Sequence, residues 1–141
     1  MKISTRGRYG LRALIDIAAQ EIGSCVPLCS IAQRQGLSEA YLEQLMSQLK
    51  KAGVVKSVRG AQGGYILNRA PEEISVGEIL RVLEGPMYPV DCLSDTEKPS
   101  CGAASCSTCV TKPLWEKLYS SVNDVLESCS LKDLANAYLE I

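Results

Sequence analysis

The sequence contains no histidine and no phenylalanine. Without histidine there is no imidazole to act as a general base or to ligate a metal ion. No window approaches about 18 consecutive apolar residues, so we expect no transmembrane helix. Residues 1–6 lack the apolar run of a signal peptide, and we expect a cytoplasmic protein with no membrane partner. No Gly-rich nucleotide loop or paired carboxylates are evident, so the pattern does not indicate an enzyme.

What the sequence does contain is seven cysteines among 141 residues, 46% of them apolar and 22% charged. That composition excludes a disordered chain and suits a single domain, or one domain with a dimerisation arm. Structural disulfides are rare in the reducing cytosol, so clustered cysteines there indicate metal or redox chemistry.

Charge is divided along the chain. Residues 1–69 hold ten Lys and Arg against four Asp and Glu, a net charge of +6, whereas residues 70–141 hold five against twelve, a net charge of −7. A basic half predicts contact with a polyanion such as nucleic acid. The alternative explanation is that charge varies by chance from one segment to the next. The predicted fold of the basic half is therefore needed to choose between the two explanations.

Apolar spacing predicts three helices in the basic half. A stripe at helical spacing covers about 6–21, Pro27 opens a short second helix that Gly36 ends, and Ser38 is the expected N-cap of a third helix over 38–51. Two short helices joined by a tight glycine-containing turn are typical of a helix-turn-helix.

A hairpin follows the third helix. Residues 54–58 read as a strand, 60–64 as a Gly-rich turn and 65–67 as the return strand. A helix-turn-helix followed by such a hairpin is a winged helix. A capping box at 75–78 then predicts a fourth helix over about 76–84.

A cysteine-rich loop occupies residues 86–110. Its cysteines are Cys92, Cys101, Cys106 and Cys109. Four thiols in this spacing can converge on one centre, and thiolates are preferred ligands of both iron–sulfur clusters and zinc. The spacing leaves three alternatives open: an iron–sulfur cluster, a structural zinc site and a thiol–disulfide switch. Cys25, Cys29 and Cys129 are expected to be small buried apolar residues.

A long helix is predicted from about residue 111. Its apolar stripe from Leu114 to Leu126 is too wide for a lone exposed helix, so a partner surface is needed. A last short helix begins at Ser130. The predicted fold is therefore mainly α with a small β-hairpin. Residues 1–85 form the winged helix-turn-helix domain, 86–110 the cofactor loop, and 111–141 the dimerisation helix and short C-terminal helix.

The sequence resembles the IscR/CymR/NsrR type of bacterial transcription regulators along essentially its whole length. The resemblance is carried by residues 4–12 at the start, 37–45 in the third helix, 58–65 in the wing and 74–79 in the fourth helix. It implies a homodimeric winged-helix protein that binds double-stranded DNA at a near-palindromic operator, with the long helix as the dimer contact.

The cysteine loop resembles that of the members that sense iron–sulfur clusters, in which three loop cysteines hold a 2Fe–2S or 4Fe–4S cluster. By register these match Cys92, Cys101 and Cys109. Lys112 stands where the IscR type has a histidine ligand, and Arg8 stands where the NsrR type has an aspartate ligand. The simplest hypothesis is that Cys106 completes an all-thiolate site. We expect 2Fe–2S ahead of 4Fe–4S, with zinc as the alternative.

The resemblance implies a regulator, most simply a repressor, whose DNA binding is controlled by the cluster. The N-terminal half looks closest to CymR-type members, which lack this cysteine set. The alternative is therefore a regulator of the same fold that senses thiol redox state, zinc or a cysteine-metabolism enzyme as partner.

The expected DNA contacts divide into two groups. Side chains on the third helix are expected to face the major groove, where Gln44 can pair with adenine and Glu43 can accept from cytosine, and Arg59 at the wing tip is expected to enter the minor groove. The helix-face residues are Glu39, Ala40, Tyr41, Glu43, Gln44 and Ser47, and the phosphate-contacting residues are Lys2, Arg6, Lys50, Lys51 and Lys56.

Overall fold

The computed structural model describes residues 1–94 and 108–141, so Cys101 and Cys106 lie outside the described residues. Six helices and one two-stranded antiparallel hairpin make up this part of the chain, which confirms the predicted fold class. The elements are α1 Thr5–Ala18, α2 Leu28–Gln35, α3 Glu39–Lys51, β1 Val55–Val58, β2 Gly64–Leu67, α4 Val76–Glu84, α5 Lys112–Ser128 and α6 Leu131–Leu139. Short 3₁₀ turns cover Pro71–Glu73 and Asp91–Leu93.

Local signals in the sequence set the helix ends. Gly36 ends α2 with a φ of 66°, a left-handed conformation that glycine adopts without strain. The Ser38 hydroxyl accepts from the Tyr41 N–H at 3.2 Å and caps α3. Ser75 caps α4 in the same way, but the predicted capping box is only half formed, because the Glu78 carboxylate binds Arg69 instead.

A single core underlies the winged helix. Apolar faces of α1, α2, α3 and α4 meet there, and α6 returns to the same core through the fully buried Leu131. The largest fully buried apolar side chains are Leu14, Ile31, Leu42, Leu45, Met46, Leu49, Ile74, Ile79, Leu131, Val54 and Val55. The predicted third segment, 111–141, therefore does not behave as one unit. Its helix α6 packs on the core of residues 1–85 through Leu131, whereas α5 contributes no buried residue to that core.

The long helix α5 buries none of its residues within the chain. Its C-terminal end is fixed by two backbone hydrogen bonds, from Val76 N–H to the Cys129 carbonyl at 2.9 Å and from Leu131 N–H to the Ile74 carbonyl at 2.8 Å. The Tyr88 and Tyr119 rings also meet, with centroids 4.9 Å apart. Among the described residues, no helix is both long enough and apolar enough to cross a membrane.

Candidate nucleic-acid interface and thiol site

Helix α3 has one buried and one exposed face. Leu42, Leu45, Met46 and Leu49 are at most 1% exposed and hold the helix on the core. The opposite face presents five of the six side chains predicted to reach bases, and these exposed residues are Glu39, Ala40, Glu43, Gln44 and Ser47. The helix therefore presents carboxylate, amide and hydroxyl groups on its exposed face, and these are the groups that direct base readout uses.

Tyr41 is placed differently from the other five. Its ring is half-buried and meets the Tyr9 ring edge-on, with centroids 6.2 Å apart, and its hydroxyl lies 3.4 Å from that of Thr5. The Tyr41 side chain therefore joins α3 to α1. Its hydroxyl lies at the edge of the exposed face.

The cations predicted to contact DNA, five at phosphates and Arg59 in the minor groove, form no ion pair within the described residues. Lys2, Arg6, Lys50, Lys51, Lys56 and Arg59 are all exposed. No ion pair within 1–94 and 108–141 involves any of the six, whereas Arg34, Arg69, Arg81 and Lys112 each pair with an acidic side chain. Cations without an internal partner are available to neutralise phosphates.

The wing is fixed to the helix-turn-helix by its backbone. Strand β2 pairs with β1, and Tyr65 also exchanges two backbone hydrogen bonds with Val26, at 2.8 and 2.9 Å. Val26 lies just before α2. Burial and the nearby Glu43 carboxylate raise the pKa of Tyr65 above its ordinary value, consistent with a ring packed inside the wing. The Val26 bridge was not predicted from the sequence.

A buried carboxylate holds α1 and α2 together. Asp16 is fully buried and accepts from Arg34 Nε at 2.9 Å and Nη2 at 2.6 Å, and from Gln35 Nε2 at 3.0 Å. Arg12 donates to the Gln35 carbonyl at 2.7 Å. Sequence reasoning missed this network. Its signal is an aspartate between apolar residues at 13–18, which indicates a buried acid in need of a cation.

The thiol site is described at two of its four predicted positions. Cys92 lies half-buried in the 91–93 turn, and Cys109 lies half-buried just before α5. The Cys109 sulfur is 3.3 Å from the Thr111 hydroxyl. Hydrogen bonds from the Thr111 side chain and from the N–H groups of Thr111 and Lys112 lower the pKa of the Cys109 thiol, which favours the thiolate that ligates metals.

The other two predicted ligands, Cys101 and Cys106, lie outside the described residues. Within residues 1–94 and 108–141, no three Cys, Asp or Glu side chains gather closely enough to hold a metal ion. Lys112 pairs with Glu116 at 3.8 Å. A charged lysine in an ion pair is a poor ligand, and Cys106 remains the predicted fourth ligand.

The expectation that the other three cysteines are buried is wrong. Cys29 is exposed, and Cys25 and Cys129 are half-buried. Cys29 lies in the first turn of α2 with its side chain exposed. The buried residues of α2 are Ile31 and Ala32. Cys129 follows the end of α5 in an extended conformation instead of continuing the helical stripe.

Comparison with known proteins gives a consistent result. Residues 3–137 match the Rrf2 family model, described as an iron-dependent transcriptional regulator. The HTH-type transcriptional regulator CymR of Bacillus subtilis is 47% identical over 96% of this chain and 91% of its own length. The solved structure of CymR (YrzC), the global cysteine regulator of B. subtilis, superposes with a TM-score of 0.79, covering 97% of this chain and 98% of that one at 46% identity. T. potens IscR superposes with a TM-score of 0.75 at 48% identity, covering 98% and 88%.

Proposed function

The chain belongs to the Rrf2 family of transcriptional regulators, and we propose that it is a homodimeric repressor whose operator affinity is set by an iron–sulfur cluster held in residues 86–110. Its relatives are transcriptional regulators, not enzymes. The observation that carries the DNA-binding part is the exposed polar face of α3, together with six exposed cations that form no ion pair within the described residues.

DNA recognition divides between α3 and the wing. Gln44 is suited to a bidentate contact with adenine and Glu43 to cytosine N4, while Glu43 repels phosphate when the helix is misplaced. Arg59 follows β1 at the wing tip and reaches the neighbouring minor groove. Lys2, Arg6, Lys50, Lys51 and Lys56 are assigned to phosphates, and they fix the register without reading the sequence.

Helix α5 is assigned to the dimer contact. Three of its apolar side chains are strongly exposed: Leu114 at 57%, Leu118 at 38% and Val125 at 67%. An apolar helix face this exposed is typical of a surface that is covered by another copy. A twofold dimer places two α3 helices on one side, and the operator then consists of two half-sites about one helical turn, or a multiple of it, apart.

The cofactor assignment is supported by the donor set. Cys92 and Cys109 are thiols, the Cys109 thiolate is favoured by its surroundings, and the family is described as iron-dependent. A bound cluster supplies a redox-active centre that can be reduced, oxidised or lost. Cys92 lies beyond α4 and Cys109 at the start of α5, so joint ligation by these residues ties the winged helix to the dimerisation helix.

A second candidate is a regulator of the same fold that senses thiol oxidation, zinc or a cysteine-metabolism enzyme without a cluster. It is favoured by the 47% identity to CymR, which is named a global cysteine regulator in B. subtilis. The hydrogen bonds that lower the pKa of the Cys109 thiol below its ordinary value also suit a redox-reactive group.

Anaerobic purification separates the two candidates. We expect a coloured protein containing iron and acid-labile sulfide, and a different operator affinity after the cluster is removed. Cys92→Ser, Cys109→Ser and Cys106→Ser should each abolish or shift the visible charge-transfer bands, whereas the matched controls Cys25→Ser and Cys29→Ser should leave them unchanged. A colourless preparation that contains zinc or no metal even without oxygen would favour the second candidate, and an unchanged Cys106→Ser spectrum would remove Cys106 from the ligand set.

A further inference from the structure

Glu84, the last residue of α4, caps the first turn of α1. Its Oε1 accepts from the Ser4 N–H at 2.8 Å, the Ser4 hydroxyl at 2.6 Å and the Gly7 N–H at 3.0 Å. Ser4 is the N-cap of α1, yet its own side chain caps nothing, and the first turn of α1 contains no acidic residue. A carboxylate from a different helix thus accepts from two of the N–H groups at the start of α1.

Two glycines on α1 make room for this contact. A Cβ at Gly7 would lie 2.5 Å from Glu84 Oε1, and a Cβ at Gly10 would collide with the Leu83 side chain. Partial burial alone raises the pKa of Glu84, but the hydrogen bonds from Ser4 and Gly7, together with the nearby positive charge of Arg6, outweigh it and lower the pKa below its ordinary value. The end of α4 is therefore seated on α1 by shape as well as by hydrogen bonds.

Glu84 lies between two parts of the chain. One is the chain at the start of α1, which carries Lys2 and Arg6, and the other is residues 85–94, which contain Cys92 and form the thiol segment. Both cations are exposed, and Arg6 lies between the two amides that Glu84 caps while Lys2 lies two residues before the first of them. On the other side of Glu84, Gly85 has φ 76° and ψ −168°, a conformation almost confined to glycine, and the chain then runs to Cys92. A shift of the 85–94 segment reaches Glu84 through a single backbone junction.

We infer that Glu84 is a positioning residue that transmits the state of the thiol segment to the basic start of α1, and so to operator affinity. This inference rests on the proposed function. With the segment in one position the carboxylate holds Ser4 and Gly7, and Lys2 and Arg6 are fixed for phosphate contact. When the segment moves, the carboxylate leaves, the first turn of α1 frays, and those two contacts weaken.

The test uses the full-length protein, prepared with and without the cluster, in three variants. Glu84→Ala removes all three acceptor contacts, Glu84→Gln keeps an acceptor oxygen of the same reach, and Glu73→Ala alters an exposed acid elsewhere. The measurements are the ratio of operator affinities between the two forms, its salt dependence, and amide hydrogen exchange at the start of α1.

We expect Glu84→Ala to bring the affinity ratio at least about threefold closer to one and to speed exchange at Gly7. The slope of log affinity against log salt should fall by up to about 4, because the dimer loses two phosphate contacts in each protomer. Glu84→Gln should restore part of the ratio, and Glu73→Ala all of it. A wild-type ratio in Glu84→Ala, with the cluster spectrum retained, would overturn the inference. A wild-type protein whose affinity ignores the cluster would instead overturn the proposed function, and unchanged Gly7 exchange in Glu84→Ala would then still refute the positioning role.

Discussion

At the scale of single residues, the most constrained group described is the Asp16 carboxylate. It is fully buried, and three nitrogen atoms donate to it from α2, whereas the Arg34 side chain remains 39% exposed. The two partners are therefore not equivalent. Loss of the arginine leaves a buried charge, while loss of the acid leaves a guanidinium that water can still reach.

Arg34→Ala should therefore destabilise the protein more than Asp16→Asn does. We expect losses of about 3 kcal/mol for Arg34→Ala and about 1–2 kcal/mol for Asp16→Asn, because the asparagine keeps part of the hydrogen bonding. Urea unfolding at neutral pH measures both. Equal losses, or the reverse order, would contradict the asymmetry. Gln33→Ala, an exposed substitution on the same helix, serves as the control.

A second carboxylate gives a pH dependence with a defined sign. Hydrogen bonds from Arg81 and Ser75 lower the pKa of Glu127 below its ordinary value. A carboxyl group with a lower pKa in the folded protein stabilises the fold above its unfolded pKa, and this contribution is lost as the pH falls through the folded pKa. Unfolding at pH 7 and pH 4 should show a smaller acid-induced loss for Glu127→Gln than for the wild type. Glu72→Gln, an exposed acid, should lose as much as the wild type.

These residues also show where sequence reasoning ends. Apolar periodicity predicted α1 and its buried face, but periodicity treats Asp16 as a gap, and the partner that makes its burial tolerable lies 18 residues away. The prediction that Cys29 is buried was wrong for a different reason. Its apolar character indicates burial, but a helix of 8 residues buries only one narrow face, and Cys29 lies outside that face.

At the scale of elements, capping serines predicted the starts of three helices, whereas apolar spacing extended α1 to about residue 21 and the helix ends at Ala18. Ser38, Ser75 and Ser130 each cap the helix that follows, because the signal is local and needs no tertiary partner. The attachment of the wing to residue 26 had no such signal. It joins backbone groups that are 39 residues apart, and only the folded arrangement brings them together.

Arg59→Ala tests the wing directly. The exposed guanidinium follows β1 and has no acidic partner within the described ranges, so its removal should weaken operator binding by about 1–3 kcal/mol. Fluorescence anisotropy at fixed salt measures the change. Lys117→Ala, which removes an exposed cation from α5, is the matched control and should leave the affinity near the wild-type value. Undiminished binding by Arg59→Ala would remove the wing tip from the DNA contact.

At the scale of the whole molecule, the division of charge along the sequence coincides with a division between structural elements. The basic half folds into the helix-turn-helix and wing, and the acidic half supplies α4, α5 and α6. Composition and periodicity predicted this arrangement, including an unpartnered apolar face on the long helix. They did not predict that α6 returns to the first core, because its short stripe fits either a partner or the chain's own α1.

Leu118→Glu tests the assembly. This side chain lies on the exposed apolar face of α5, which buries no residue within the chain, so the monomer should fold normally. A charge at a dimer contact should raise the dimer dissociation constant at least about 30-fold, equivalent to about 2 kcal/mol. Sedimentation measures the dimer, and binding to a two-half-site operator should fall with it. Lys117→Glu, one residue away on the polar face, should stay dimeric.

The backbone bridge between Val26 and Tyr65 has a consequence for operators. It joins β2 of the hairpin to the chain two residues before α2, so we expect the hairpin and the helix-turn-helix to keep a fixed relative position on DNA. Inserting one base pair between the sequence read by α3 and the stretch reached by the hairpin moves the second target by about 3.4 Å along the duplex axis. We therefore expect operators to tolerate changes in base identity better than a change in the spacing within each half-site, and binding assays with such inserted operators measure this.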